Sequence, residues 1–156
     1  ANEGIHNSYG ANIGHVILNM DSDCVKTRAK AYAAAGSDAR MNGCELPVVI
    51  NSGSGNQGIT CCVPVVVYAK ELDCTQEQLY RALVLSNLTA IYIKTGIGTL
   101  SAFCGAVSAG AAAGAGIAYL HNGTYKEIQH TIVNGKRQVI CWIENHIKKI
   151  DNYIEN

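Results

Sequence analysis

Apolar residues recur at helical spacing in the first part of the chain. Residues 11–20 predict a short helix, because their apolar side chains lie three and four positions apart. Residues 24–35 are rich in alanine and predict a second helix, with Ser22 or Asp23 as its capping residue. The glycine, serine and aspartate at 36–38 are expected to end that helix.

The middle of the chain holds a polar segment between two apolar runs. Residues 44–50 contain Pro47 and are expected to be extended or irregular. Residues 59–70 fit two structures: their β-branched content favours a strand, whereas a helix with Pro64 in its first turn is equally allowed. The segment between them has no apolar side chain, and we call it the Gly/Ser segment; its residues are Asn51, Ser52, Gly53, Ser54, Gly55, Asn56, Gln57 and Gly58.

The second half predicts further helices. Thr75-Gln76-Glu77-Gln78 has the pattern of a capping box and begins a helix that continues to about Lys94. The other expected elements are a small-residue helix at about 98–119, a turn at 121–123, a helix from 124 to about 133, a break at 134–135, and an amphipathic helix at 139–154. The sequence therefore predicts a mainly α, compact helical domain over residues 1–156, with a Gly/Ala-rich central helix, irregular Gly/Ser loops and little or no β structure.

The Gly/Ser segment has the composition of an anion-binding loop. Its glycines allow close approach of the backbone to a ligand, and its serines, asparagines and glutamine supply uncharged donors and acceptors. An apolar run that leads into such a loop and then into a helix is a common anion site, because the first helical amides are unsatisfied. Neither nucleotide-binding glycine pattern is present. A plain flexible loop is the alternative, but flexible linkers seldom lie between two strongly apolar runs.

Charge and composition exclude some classes of protein. The 156 residues carry no net charge and only 15 % charged side chains, and the basic residues are scattered, so nucleic acid is not an expected partner. Residues 95–125 carry no charge, and the run at 101–119 is long enough to span a bilayer. Its Ala, Gly and Ser content is too weakly hydrophobic for insertion, so a tightly packed central helix is the better interpretation and no membrane association is expected.

Seven cysteines fit a reducing compartment better than a disulfide scaffold, because their number is odd and no signal peptide precedes them. A cytoplasmic location is therefore expected. No CxxC spacing is present, so spacing alone does not indicate an iron–sulfur cluster, and the five histidines form no metal-binding pattern. The first residue is Ala rather than Met, which indicates a fragment.

Arg40 is a candidate ligand for a substrate carboxylate. It precedes the Gly/Ser segment closely, and a guanidinium beside an anion loop can bind a carboxylate with two hydrogen bonds. A surface ion pair is the alternative role for Arg40. Asp38 either acts on a proton or orients Arg40.

Two runs resemble a known family. The stretch SDARMNGCELPVVINSGSGNQGI, followed by LYRALVLSNLTAIYIKTGIGTLSAFCGAVSAGAAAGAG, is similar to the C-terminal part of the L-cysteine desulfidase family, which is related to the iron–sulfur L-serine dehydratase α chain. The resemblance covers about residues 4–134. It implies an α-rich domain with an oxygen-sensitive [4Fe–4S] cluster whose open iron acts as a Lewis acid. The implied reaction eliminates sulfide or water, and then ammonia, from L-cysteine or L-serine to give pyruvate without pyridoxal phosphate.

The resemblance also implies cluster ligands. Cys104 matches one cluster cysteine and Cys141 resembles a second, whereas Lys148 stands where the family has its third. Another chain or His146 is then needed to complete the ligand set, and the family's N-terminal part is absent from this sequence. Natural truncation, a frameshift and a second polypeptide all fit this divergence.

Two functional hypotheses follow. In the first, the chain is the cluster-bearing part of the lyase, with Arg40 and residues 51–57 holding the amino-acid carboxylate. In the second, it is a truncated, non-catalytic homologue that acts as a subunit or as a small-carboxylate-binding module. Both hypotheses allow a homo-oligomer or a complementary N-terminal polypeptide as partner.

Overall fold

The structure is a computed structural model that describes residues 1–20, 22–98 and 104–135. These residues form helices and no strand, which confirms the prediction of a mainly α fold. In chain order the helices are α1 (Asn2–His6), α2 (Ile13–Met20), α3 (Val25–Met41), α4 (Gly55–Glu71), α5 (Gln76–Ile97), α6 (Gly105–Leu120) and α7 (residues 125–135).

Helix α6 packs against both α4 and α5 through small side chains. A Cβ atom on Gly116 would lie 3.0 Å from the carbonyl oxygen of Ala82 and 3.0 Å from Val65 Cγ2, so a side chain there would require α4 or α5 to move by a few tenths of an ångström. The helix axes approach closely because the residues between them are mostly alanines, which confirms the prediction of a tightly packed helix. Its predicted start at about 98 is wrong, because Gly98 ends α5 and α6 begins at Gly105. The buried residues of α6 are Ser108, Ala109, Ala111, Ala112, Ala113, Ala115, Gly116 and Leu120.

The N-terminal helices α1, α2 and α3 pack onto this core through α4. α3 packs against α4, and α1 and α2 pack against α3. Among the described residues, no helix has the length and apolar content needed to cross a membrane.

Residues 59–70, which the sequence left open between strand and helix, belong to α4. Pro64 lies well inside the helix and not in its first turn, so that part of the prediction is wrong. Proline in a helix interior removes one hydrogen bond and costs about 3 kcal/mol. The packing of α4 against α3, α5 and α6 outweighs that cost, with Cys61 and Val65 fully buried on either side of the proline.

The predicted break at 36–38 is also wrong, because α3 continues to Met41. A Cβ atom on Gly36 would lie 3.2 Å from Ile59 Cγ2 and 3.3 Å from Ala1 Cα. Glycine is therefore present at this position because α4 and the N-terminal residues approach α3 closely, and it does not end the helix. The extra turn carries Arg40 to the start of α4.

The remaining boundaries follow the same physical rules. The capping box at Thr75 is present. The backbone N–H of Gln78 donates to Thr75 Oγ1 at 3.3 Å, and the backbone N–H of Thr75 donates to the side-chain Oε1 of Gln78 at 2.9 Å. The turn at 121–123 precedes α7 as expected, but residues 134–135 remain helical, so the predicted break there is wrong. A Cβ atom on Gly135 would lie 3.2 Å from Ala111 Cβ, which again indicates a glycine retained for packing. The amphipathic helix predicted at 139–154 lies outside the described residues.

Candidate functional site

The Gly/Ser segment is a tight turn followed by the first turn of a helix. Asn51 N donates to Ser54 O at 3.2 Å, and Ser54 N donates back to Asn51 O at 3.1 Å. The two residues between them have positive φ, 50° at Ser52 and 85° at Gly53, as in a type I′ turn. α4 begins immediately afterwards at Gly55, so residues 55–58 are helical and not part of a loop.

The first backbone amides of α4 have no hydrogen-bond acceptor within the helix itself. Ser54 occupies the N-cap position, but its side chain makes no capping hydrogen bond within the described part of the chain. The first amides of a helix carry a partial positive charge and attract anions. α4 is 17 residues long, so its N-terminus presents the full effect of the helix dipole.

Arg40 lies directly over this helix start. Its Nη1 atom donates to Asn56 Oδ1 at 3.1 Å, and its guanidinium covers Gly55, where any side chain would overlap it. The arginine side chain is exposed, so its other face is open to solvent. The structure therefore brings Arg40 to the Gly/Ser segment, and their role in binding substrate stays a prediction.

Gln57 connects the Gly/Ser segment to the start of α6. It is buried, and its side-chain amide lies against Gly105, where a Cβ atom would overlap it. Gly105 is the first residue of α6, and the exposed Cys104 is its N-cap. The N-termini of α4 and α6 thus lie side by side, with Arg40 beside one and Cys104 at the other.

Asp38 does not contact Arg40 in the described hydrogen bonds. Its Oδ2 atom accepts a hydrogen bond from Ile13 N at 2.9 Å, at the first residue of α2. Asp38 thus attaches α2 to α3.

Asn51 points away from the helix start into a buried amide network. Its Nδ2 atom donates to Asn87 Oδ1 at 2.9 Å, and Ser52 Oγ donates to Asn51 Oδ1 at 2.8 Å. Asn51 is only 4 % exposed, so it supports the turn from inside. Asn87, on α5, was missed by sequence reasoning because 36 residues separate it from Asn51.

Two adjacent cysteines complete this network. Cys61 Sγ lies 3.7 Å from Cys62 Sγ and 3.4 Å from Asn87 Oδ1, and Asn87 Nδ2 donates to Cys62 Sγ at 3.3 Å. Donation from Cys61 and Asn87 lowers the pKa of Cys62 to about 6, against the opposing effect of burial. Pairing with Cys62 and burial raise the pKa of Cys61, which is fully buried and remains a thiol.

Cys62 and Arg40 line the same groove. This groove, which we call the α3–α4 groove, has a volume of about 920 Å³ and is bounded by α3, α4 and the segment at 44–49. Its walls are largely apolar, with Val49 and Val66 among the lining residues, and Asn87 reaches it from α5.

Only one of the two predicted cluster ligands lies within the described residues. Cys104 lies at the start of α6, whereas Cys141 lies outside the described residues. Within the described ranges, no group of three or more His, Cys, Asp or Glu side chains is arranged to hold a metal ion. The described residues therefore do not form a cluster site by themselves.

Comparison with known proteins gives consistent matches. The family model described as serine dehydratase alpha chain matches residues 1–140. A UPF0597 protein of Desulfitobacterium hafniense is 64 % identical over 86 % of this chain and 31 % of its own length. A UPF0597 protein of Lachnoclostridium phytofermentans is 60 % identical over 86 % of this chain and 32 % of its own length. A UPF0597 protein of Finegoldia magna is 54 % identical over 86 % of this chain and 32 % of its own length. The chain spans about a third of the length of these relatives. No solved structure gives a significant match.

Proposed function

Because the chain belongs to the serine dehydratase alpha chain family, we propose that it is part of an iron–sulfur-dependent lyase that acts on L-cysteine or L-serine. The proposed reaction eliminates sulfide or water plus ammonia to give pyruvate, without pyridoxal phosphate. The proposed location is the cytoplasm, and the proposed cofactor is a [4Fe–4S] cluster with Cys104 and Cys141 among its ligands.

One observation carries the proposal: Arg40 covers the start of α4, where the first helical amides are not capped by Ser54. A carboxylate at this position accepts hydrogen bonds from the guanidinium and from the amides at once. Donors aimed at the carboxylate also stabilise negative charge that develops when the α-proton is removed. The same residues therefore support both binding and α-proton loss.

Gln57 supports the second half of the proposal. Its side chain lies between the start of α4, the proposed carboxylate site, and Gly105, next to the cluster-ligand candidate Cys104. In this proposal, the β-substituent of an amino acid held by its carboxylate at the start of α4 faces the start of α6.

The alternative proposal is a non-catalytic carboxylate-binding module or subunit. It is favoured by Lys148, which stands where the family that the sequence resembles has its third cluster cysteine. A second copy of the chain or a complementary N-terminal polypeptide is the proposed partner in either case.

The test is anaerobic calorimetric titration with L-serine and with L-cysteine. We expect Arg40→Ala to weaken binding at least tenfold, because a hydrogen bond to a charged group contributes about 1.5–3 kcal/mol. Arg81→Ala is the matched control, since Arg81 pairs with Glu77 on α5 and is also exposed to solvent. L-Serinamide, which has no carboxylate, should bind the wild type and Arg40→Ala alike. Unchanged amino-acid affinity in Arg40→Ala would remove Arg40 from the site.

A further inference from the structure

Cys62 occupies a polar pocket in an otherwise apolar helix surface. Its sulfur lies beside the amide of Asn87 and the thiol of Cys61, and the residue lines the α3–α4 groove. The lyase proposal uses none of these three side chains. A half-buried cysteine with two polar neighbours and an open groove in front of it has the surroundings of a reactive thiol and not those of an inert core residue.

The hydrogen bonds of Asn87 fix which end of its amide faces Cys62. The carbonyl oxygen of Leu83 can only accept, so the Asn87 atom 2.8 Å from it is the nitrogen. The same nitrogen lies 3.3 Å from Cys62 Sγ, whereas Asn87 Oδ1 is 3.9 Å away from that sulfur. Asn87 Oδ1 in turn accepts from Asn51 Nδ2. Cys62 therefore faces a donor, which stabilises the thiolate over the thiol.

We propose that Cys62 is a nucleophilic thiol that exchanges with small disulfides entering the α3–α4 groove and carries the product as a mixed disulfide. The Cys62 thiolate attacks one sulfur of the small disulfide, whose S–S bond breaks as a new S–S bond to Cys62 forms. The other sulfur leaves as a thiolate and takes a proton from solvent. One disulfide replaces another, so no further oxidant or reductant is needed.

Cys61 cannot release the bound group by forming a disulfide with Cys62. Neighbouring Cα atoms are about 3.8 Å apart across a trans peptide, below the range of about 4.4–6.8 Å that disulfides span. The described part of the chain contains no cis peptide bond, and both cysteines lie within α4. Cys61 therefore does not resolve the mixed disulfide at Cys62.

The side chains around the groove decide which small disulfide suits as a probe. The charged and titratable side chains that line the groove with Cys62 are Glu3, Arg28, Tyr32, Arg40, Cys44, Lys70 and Glu71. Asn87, which lines the groove from α5, is uncharged. Arg28 and Glu71 pair with each other at 2.5 Å. Basic groups outnumber acidic ones in this set, so an anionic disulfide is a suitable probe.

The test compares folded and urea-unfolded protein at about pH 5.5, with dithiobis(nitrobenzoate) as the small anionic disulfide. With a pKa of about 6, the folded Cys62 has roughly 200 times more thiolate than an ordinary cysteine, and its lower intrinsic nucleophilicity removes about tenfold of that gain. We expect the mixed disulfide at Cys62 to form about twentyfold faster in the folded protein, measured by quenching and mass spectrometry of the peptide. Equal or slower reaction in the folded protein would overturn the proposal.

Two matched variants assign the reaction. Cys62→Ser should lose the folded-state reaction on this peptide, whereas Cys61→Ser should keep it, because serine still offers a donor beside Cys62. Asn87→Asp has the same shape but replaces the donor with an acceptor, so the pH at which Cys62 becomes reactive should rise while circular dichroism stays unchanged. A pH profile identical to the wild type would remove Asn87 as the positioning residue, and reaction retained in Cys62→Ser would refute the assignment.

Discussion

At the scale of single residues, Gly58 decides whether the candidate site can form. It lies in the first turn of α4, directly against the backbone carbonyl of Val49, and a Cβ atom would overlap that oxygen. This contact holds the extended segment before the Gly/Ser turn against the helix. The turn and the helix start that Arg40 covers therefore both depend on the absence of a side chain at one position.

Gly58→Ala should destabilise the protein by at least about 1–3 kcal/mol, the range for forcing extra atoms into a packed site. Gly110→Ala is the matched control, because a Cβ atom at this exposed position on α6 would have no described atom within 4 Å. That change should be neutral or stabilise by about 0.5–1 kcal/mol through helix propensity. Urea denaturation measures both variants, and equal stabilities would show that the Val49 contact is not important.

The sequence could predict some of these residues but not their partners. The Gly/Ser segment and Arg40 were identified as a site from local composition, and the structure places Arg40 on Gly55 and Asn56. Asn87 was not identified, because its contacts with Cys62 and Asn51 cross 25 and 36 residues of chain. Local patterns report which side chains are available, whereas long-range pairing depends on how helices pack.

At the scale of helices, the wrong predictions about helix ends and about the position of the proline share one cause. The capping box at Thr75 was predicted correctly because its hydrogen bonds connect residues within one turn. Gly36 and Gly135 were predicted to end helices and Pro64 to lie in a first turn, whereas Gly36 and Pro64 lie inside helices and Gly135 is the last described residue of α7. Packing against neighbouring helices outweighs local propensity at these positions.

The two N-caps should therefore respond differently to alanine. Thr75→Ala removes a capping box and should lower the free energy of unfolding by about 1 kcal/mol. Ser54→Ala removes a side chain that makes no capping hydrogen bond and should change stability by less than about 0.5 kcal/mol. Urea denaturation measures both variants. If Ser54→Ala nevertheless weakens amino-acid binding, its hydroxyl contacts the ligand. A loss of stability as large as that of Thr75→Ala would show that Ser54 caps α4 in solution.

At the scale of the whole molecule, α6 brings the two halves of the candidate site together. The small residues of α6 let α4 and α5 pack closely against it. The first turn of α6 contacts the first turn of α4 through Gly105 and Gln57. The small-residue run predicted this packing from composition. The meeting of the two helix starts was not predictable, because it depends on where both helices begin.

Iron binding is the property that separates a lyase part from a carboxylate-binding module. After anaerobic reconstitution with iron and sulfide, we expect the wild type to retain both and Cys104→Ser to lose most of them. Cys24→Ser is the matched control, because Cys24 is also an exposed cysteine at a helix N-cap, that of α3. It should retain iron and sulfide at the wild-type level. Iron and sulfide analysis with visible absorption measures all three proteins. If the wild type retains no iron, or if Cys104→Ser retains as much as Cys24→Ser, Cys104 is not a cluster ligand in this chain, and the carboxylate-binding module becomes the better proposal.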